Sequence, residues 1–148
     1  MLKHVLLLAA SLLAPAAALA QSKMAEAQGA KPAGQYAEIG GLKLYYQQHG
    51  PTQPKEAQKD TKTRPLLVLH GGFMTIEAMG PILPALAAGR PVIAVDLEGH
   101  GRTRDLDRPL SLDQMAADVA ALGKKLGLEK VGVLGFSIGG GVAPRNAA

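Results

Sequence analysis

Three short apolar runs in the sequence after residue 64 limit the folds open to this chain. They are PLLVLH at 65–70, PVIAVDL at 91–97 and KVGVLGF at 130–136. Each run has the length of a β-strand and is apolar at successive positions rather than at alternate ones. Strands of this kind belong to parallel sheets whose two faces are covered by helices. The runs therefore predict an α/β fold with a mostly parallel, doubly wound sheet.

The segments between these runs have room for connecting helices. Ser111 is a typical N-cap, and Gln114 three residues later completes a capping box. A stripe of apolar residues at helical spacing follows, namely Leu112, Met115, Ala116, Val119, Leu122 and Leu126. Gly127 is expected to end this helix. Pro81 and Pro84 interrupt the earlier segment, which predicts a short or bent helix there.

The first twenty residues have the pattern of a secretory signal peptide. A basic start at Lys3 precedes the apolar run VLLLAASLLA, and the small residues of Ala18-Leu19-Ala20 predict cleavage before Gln21. The alternative is a retained membrane anchor, but the apolar segment is shorter than the roughly 20 residues that a spanning helix needs. We expect a bacterial periplasmic or secreted protein that leaves the membrane once the signal is removed.

The rest of the sequence divides into a flexible lead-in at 21–35 and a folded domain at 36–148. The lead-in is small and polar with Gly and Pro. At the start of the domain, residues 36–50 predict two strands about a turn at Gly40 and Gly41. His49 is expected at the surface, before an exposed polar loop over 51–64.

Composition excludes several classes of function. The chain has no cysteine, so disulfides, thiol nucleophiles and thiolate metal sites are ruled out. The formal charge of +4 is scattered, and aromatic residues make up only 3% of the chain, so we expect no binding of nucleic acid.

Gly135-Phe136-Ser137-Ile138-Gly139 fits the pattern G-x-S-x-G directly after an apolar run. A strand that turns abruptly into a helix forces its apex residue into a strained backbone, and bare glycines on either side let the chain segments pass. The apex hydroxyl then stands above the sheet beside free N–H groups of the helix. The pattern favours a nucleophilic serine, while a helix-capping serine or a phosphate-binding loop stays open as the alternative.

Three segments together carry a resemblance to a known family. LVLHGGF at 67–73, VIAVDLEGHGRT at 92–103 and VGVLGFSIGGG at 131–141 resemble, in that order, landmarks in the N-terminal half of the α/β-hydrolases. The similarity is to the single-domain esterase and haloperoxidase-like members and runs from about Tyr36 to Val142.

The resemblance implies a hydrolase that acts on ester-like bonds in a small substrate and needs neither a metal nor an organic cofactor. Perhydrolysis, a variant reaction within the family, stays open. Ser137 would be the nucleophile. The N–H groups of Ile138 and of Gly72 or Phe73 would form the oxyanion hole.

The resemblance also implies supporting roles for other polar residues. His70 and His100 would be packing residues that bond to the backbone rather than bases. Asp96 would brace the turn that follows it, together with Gly99, Gly101 and Thr103.

The residues after Ser137 depart from the family pattern. The acid and the histidine of the triad should follow the nucleophile, yet this stretch contains no Asp, Glu or His, and Pro144 falls inside the expected helix. The acid and base are therefore not present. The alternative expectation is a domain truncated after the nucleophile elbow, catalytically inactive, that self-associates through an exposed sheet edge.

Overall fold

The computed structural model describes residues 32–50 and 64–146. The predicted signal peptide at 1–20, most of the lead-in and the polar loop at 51–63 lie outside these residues. The strands are β1 Gly34–Ile39, β2 Leu42–His49, β3 Leu66–Leu69, β4 Val92–Val95 and β5 Gly132–Gly135. The helices are α1 Ile76–Met79, α2 Leu83–Leu86, α3 Leu112–Lys125 and α4 Ile138–Val142, followed by a 3-10 helix at Ala143–Asn146.

The five strands form one sheet in the order β1-β2-β4-β3-β5. Strand β3 pairs in parallel with β4 and with β5, whereas β2 pairs antiparallel with β1 and with β4. Four strands therefore run in one direction and β2 runs in the other. The predicted α/β class with a mostly parallel sheet is confirmed. Among the described residues, β5 pairs only with β3 and forms one edge of the sheet.

The first two strands form the predicted hairpin. Gly40 and Gly41 both have positive φ, 54° and 91°, as a primed hairpin turn requires. Strand β1 begins at Gly34, slightly before the predicted start of the domain at residue 36. The earlier start follows from pairing with β2, since Gly34 lies opposite Gln47 in the register.

Helix α3 begins and ends at the residues predicted from the sequence. The Ser111 hydroxyl accepts a hydrogen bond from the Gln114 N–H at 3.1 Å. At the other end Gly127 has φ 69°, its N–H donates to Lys124 O, and the Leu128 N–H donates to Gly123 O. This is a Schellman motif, which satisfies carbonyls that the helix itself leaves free.

The predicted capping box at Ser111 is only half formed. The Gln114 side chain does not return to the N-cap but donates to Asp118 Oδ1 at 3.2 Å. Asp118 is buried and belongs to a charged cluster described below. A buried carboxylate needs each donor more than an exposed N-cap N–H does, since water can satisfy the latter.

The first connecting segment contains two one-turn helices in place of one longer helix, as the prolines predicted. Pro81 lies between α1 and α2, and Pro84 lies in the first turn of α2. Proline is tolerated at that position because its missing N–H would have no partner inside the helix.

Both faces of the sheet are covered at β3 and β4, as the continuous apolar runs predicted, whereas Leu134 of the third run, in β5, is exposed. In β3, Leu67 and Leu69 belong to the core cluster beneath α3, whereas Val68 belongs to the cluster beneath α1 and α2. In β4 the alternation repeats, with Ile93 on the first side and Ala94 on the second. No helix among the described residues is long and apolar enough to cross a membrane.

Candidate active site

Ser137 lies at a sharp junction between a strand and a helix. Strand β5 ends at Gly135 and α4 begins at Ile138. Between them Ser137 has φ 52° and ψ −112°, and its side chain is exposed. A non-glycine residue in such a conformation costs on the order of 1–3 kcal/mol and persists only where its surroundings hold it. The strand–turn–helix arrangement predicted for this position is present.

The glycines on either side of Ser137 are required by close backbone contacts. A Cβ added to Gly135 would lie 2.1 Å from Gly139 O, and one added to Gly139 would lie 2.4 Å from Leu69 O. The Gly139 N–H donates to His70 O at 3.1 Å and to Phe136 O at 2.9 Å. Strand β5, the end of β3 and α4 can approach this closely only without side chains at these two positions.

The loop after β3 lies against the serine turn. A Cβ added to Gly72 would lie 2.7 Å from Ile138 Cδ1, and one added to Gly71 would lie 2.9 Å from Phe136 Cδ1. The loop closes with a bond from the Met74 N–H to Gly71 O at 3.2 Å, which uses neither the Gly72 nor the Phe73 N–H. The structure thus brings the loop that carries two predicted oxyanion donors beside Ile138, the third.

Phe73 has an unusual conformation within this loop. Its φ is 58°, and its side chain is wholly exposed.

The first residue of α4, Ile138, has no intrahelical acceptor for its N–H, because that position precedes the first helical hydrogen bond. The Ile138 N–H therefore remains available as a donor.

His70 is buried and both of its ring nitrogens are occupied. Nδ1–H donates to Gly71 O at 2.7 Å, and Nε2 accepts from the Leu97 N–H at 3.0 Å. Burial lowers the pKa of His70 and outweighs the opposite effects of the Gly71 hydrogen bond and of the Asp96 charge. A neutral ring with both nitrogens bonded to the backbone cannot take a proton from Ser137, so the packing role implied by the resemblance fits this geometry.

Asp96 braces the turn that follows β4. It is fully buried, and its Oδ2 accepts from the Arg102 N–H at 2.9 Å while Oδ1 accepts from the Ile76 N–H at 2.8 Å. Gly101 has φ 55°, and a Cβ there would lie 2.2 Å from Asp96 Oδ2. Thr103 is also buried and accepts from the Tyr45 N–H at 2.8 Å.

The two remaining histidines in the described residues differ in their environment. The ring of His100 lies 5.2 Å from that of His70, and its Nδ1 bonds to Glu98 O at 2.9 Å, which fits a packing role. His49 was expected at the surface, and this was wrong. It is half-buried, its Nε2 is buried without a hydrogen-bond partner among the described residues, and burial lowers its pKa. The reason is pairing, since His49 lies opposite Val92 of a central strand.

A cluster of charges around the buried carboxylates of Glu98 and Asp118 was not predicted. Arg108 donates to both carboxylate oxygens of Glu98, at 2.9 Å from Nε to Oε1 and 2.7 Å from Nη2 to Oε2, and to Asp118 Oδ2 at 2.6 Å. Burial opposes ionisation of Glu98, but the bonds from Arg108 and Leu106 hold its pKa below the usual value. Burial raises the pKa of Asp118 despite its bonds to Gln114 and Arg108. In the sequence, the only indication of this cluster was Asp118, which lies beside the apolar stripe of α3.

The chain is similar to known proteins in sequence. The alpha/beta hydrolase fold family matches residues 64–147. The soluble epoxide hydrolase of Corynebacterium sp. (strain C12) is 43% identical over 82 residues, which is 53% of this chain and 28% of that protein. The dihydrolipoyllysine-residue acetyltransferase component of the acetoin cleaving system of Cupriavidus necator is 32% identical over 120 residues, 81% of this chain and 29% of that protein.

A solved structure is similar over most of the described residues. Epoxide hydrolase CorEH without ligand superposes with a TM-score of 0.68 at 32% identity, covering 79% of this chain and 38% of that one. The chain therefore spans between 28% and 38% of the length of these three proteins.

Proposed function

The chain belongs to the alpha/beta hydrolase fold family, and we propose that it carries the nucleophile of a serine hydrolase acting on ester-like bonds of a small, uncharged or weakly polar substrate. One observation carries this proposal. Ser137 combines an exposed hydroxyl with φ 52° at the junction of β5 and α4. Strain of this kind at an exposed polar side chain is typical of a functional position.

The proposed chemistry is acyl transfer. Ser137 Oγ attacks the carbonyl carbon of the substrate, and its proton passes to a base. The oxyanion that forms accepts hydrogen bonds from the Ile138 N–H and from the Gly72 or Phe73 N–H. The alcohol then leaves with a proton, and water hydrolyses the acyl-enzyme. Loss of one oxyanion donor in sites of this kind costs about 10²–10³ in rate.

The proposed mechanism also requires a base that takes the Ser137 proton. His70 is excluded by its two backbone bonds, and among the described residues the Ser137 hydroxyl has no hydrogen-bond partner. This observation favours a second candidate, in which the chain on its own does not turn over. Without a base, only the residual rate provided by the oxyanion hole and by binding is expected.

A fluorophosphonate probe with mass-spectrometric site mapping separates the two candidates. An assembled site predicts labelling at Ser137 and release of p-nitrophenol from p-nitrophenyl acetate, both lost in Ser137→Ala. Ser111→Ala is the matched control, because it removes an exposed serine at another helix start. If folded Ser137→Ala is labelled and releases p-nitrophenol as the wild type does, Ser137 is not the nucleophile. If neither the wild type nor the two variants are labelled, the inactive candidate is supported.

We also propose export of the mature chain to the periplasm or beyond. N-terminal sequencing of protein from a periplasmic extract is expected to begin at Gln21. Ala20→Arg should block cleavage, because signal peptidases require a small residue before the cut. A mature protein that begins at Met1 in the cytoplasmic fraction contradicts the proposal.

A further inference from the structure

The loop at 71–75 is fixed at both ends by the residues that follow β4. At its entry, His70 Nε2 accepts from the Leu97 N–H at 3.0 Å. At its exit, Asp96 Oδ1 accepts from the Ile76 N–H at 2.8 Å. Two adjacent residues of one strand end therefore hold the segment that contains Gly72 and Phe73.

The bond at the exit satisfies the first N–H of α1, which no group nearby in the sequence satisfies. Thr75 is the N-cap residue of α1 and has extended backbone, but its side chain caps nothing. Its hydroxyl donates to Glu77 Oε2 at 2.8 Å instead. Asp96 lies twenty residues beyond Ile76 and accepts from the first N–H of α1, one of the donors that a helix leaves without an internal partner.

Asp96 is itself held rigidly. Its other oxygen accepts from the Arg102 N–H at 2.9 Å, and Gly101 leaves no space beside it. Both oxygens are thus committed to backbone N–H groups on two different segments. The carboxylate cannot rotate without breaking one of these bonds.

The loop needs such a hold because Phe73 is strained. Its φ of 58° is unfavourable for a side chain of this size. Its ring is wholly exposed, so packing of the ring does not stabilise the conformation. The anchors at the two ends therefore hold the backbone in place, together with the bond from the Met74 N–H to Gly71 O inside the loop.

We propose that Asp96 is a positioning residue for the oxyanion-binding loop. By accepting from the Ile76 N–H at the start of α1, it fixes the backbone that presents the Gly72 and Phe73 N–H groups beside Ser137. This inference rests on the proposed function for its catalytic meaning, but the anchoring of the loop can be measured without activity.

The test compares Asp96→Asn with Asp118→Asn. An asparagine can accept from only one of the two N–H groups, and its own NH₂ faces the other. Asp118 is a matched control, since it is also a buried carboxylate but bonds to Arg108 and Gln114. Amide hydrogen exchange is read at Met74 and Ile76, whose N–H groups donate to Gly71 O and to Asp96 Oδ1. It is expected to rise about tenfold to a hundredfold in Asp96→Asn, the range set by a lost bond to a charged acceptor, and to be unchanged in Asp118→Asn.

Fluorophosphonate inactivation provides the second measurement. The maximal inactivation rate constant is expected to fall about 10²-fold in Asp96→Asn while the half-saturating probe concentration stays the same. A variant that is merely less stable does not separate these two constants in this way. If Asp96→Asn fails to fold, Ile76→Pro removes the N–H instead, at a first helical position that tolerates proline after the extended Thr75.

Two failures can be told apart. Equal exchange of the bonded Met74 amide in the wild type, Asp96→Asn and Ile76→Pro overturns the positioning role. A wild type that does not react with the probe overturns the proposed function, while the exchange experiment still decides whether Asp96 anchors the loop.

Discussion

Replacing Gly135 with alanine tests the geometry of the serine turn. The new Cβ would lie 2.1 Å from Gly139 O and 2.6 Å from Gly140 N. All of these contacts are to backbone, so no side-chain rotation can relieve them. The first turn of α4 is also held by the bond from the Gly139 N–H to His70 O. Alanine therefore forces α4 away from the sheet.

The cost follows from these contacts. Overpacking a core in which side chains can yield costs about 1–3 kcal/mol. Here the backbone must separate, and a hydrogen bond worth about 1 kcal/mol is lost with it. We expect Gly135→Ala to lower the free energy of unfolding by about 3 kcal/mol or more.

Gly123→Ala is the matched control with the opposite sign. Gly123 lies inside α3, and a Cβ added there meets nothing within 4 Å. Alanine in a helix interior stabilises by about 0.5–1 kcal/mol relative to glycine. The measurement is urea unfolding followed by circular dichroism, in which the free energy of unfolding falls by about 1–3 kcal/mol per M urea. The midpoint should therefore fall by about 1–3 M for Gly135→Ala and rise by a few tenths of M for Gly123→Ala. Equal midpoints for Gly135→Ala and the wild type refute the tight turn.

Three further predictions concern charge and the sheet edge. Arg108→Met leaves two buried carboxylates unpaired and should lower the free energy of unfolding by about 3–5 kcal/mol in the same assay, and Arg108→Lys should not restore it because lysine lacks the two-pronged contact. The pKa of Glu98 in the folded protein lies below its ordinary 4.5, so ionised Glu98 stabilises the fold fully above pH 4.5 and this stabilisation is lost as the pH falls further. The urea midpoint should therefore fall less steeply with falling pH in Glu98→Gln than in the wild type. The raised pKa of Asp118 has the opposite effect on stability. Leu134, partly exposed on edge strand β5, should promote self-association, so Leu134→Lys is expected to lower the sedimentation coefficient at matched concentration.

Much of the fold could be predicted because the decisive signals are local. The apolar runs placed β3, β4 and β5, and their apolar residues at successive positions predicted a sheet covered on both faces. This was right for β3 and β4 but not for β5, where Leu134 is exposed. Ser111 and Gly127 marked the ends of α3, since capping depends on residues within one turn of the helix. Gly135 and Gly139 on either side of Ser137 indicated the sharp turn, because this signal too lies within a few residues.

What could not be predicted depends on partners far apart in the sequence. Arg108 pairs with Glu98 and with Asp118, each ten residues away, and no local spacing rule selects these two carboxylates from the others. The same cluster attracts Gln114 away from the helix cap that sequence reasoning assigned to it. His49 was misplaced because its burial depends on β4, which enters the sequence more than forty residues later.

The assembly of the candidate site follows from the register of three strands. Leu69 of β3 lies level with Val95 of β4 on one side and with Gly135 of β5 on the other. Parallel strands lie about 4.8 Å apart, so the residues that follow in each strand must meet at one edge. A slip of β3 by one residue would turn its buried leucines to the other face of the sheet, which the two core clusters do not allow. The packing of β3 therefore fixes both the stability of the core and the proximity of Asp96, His70 and the serine turn.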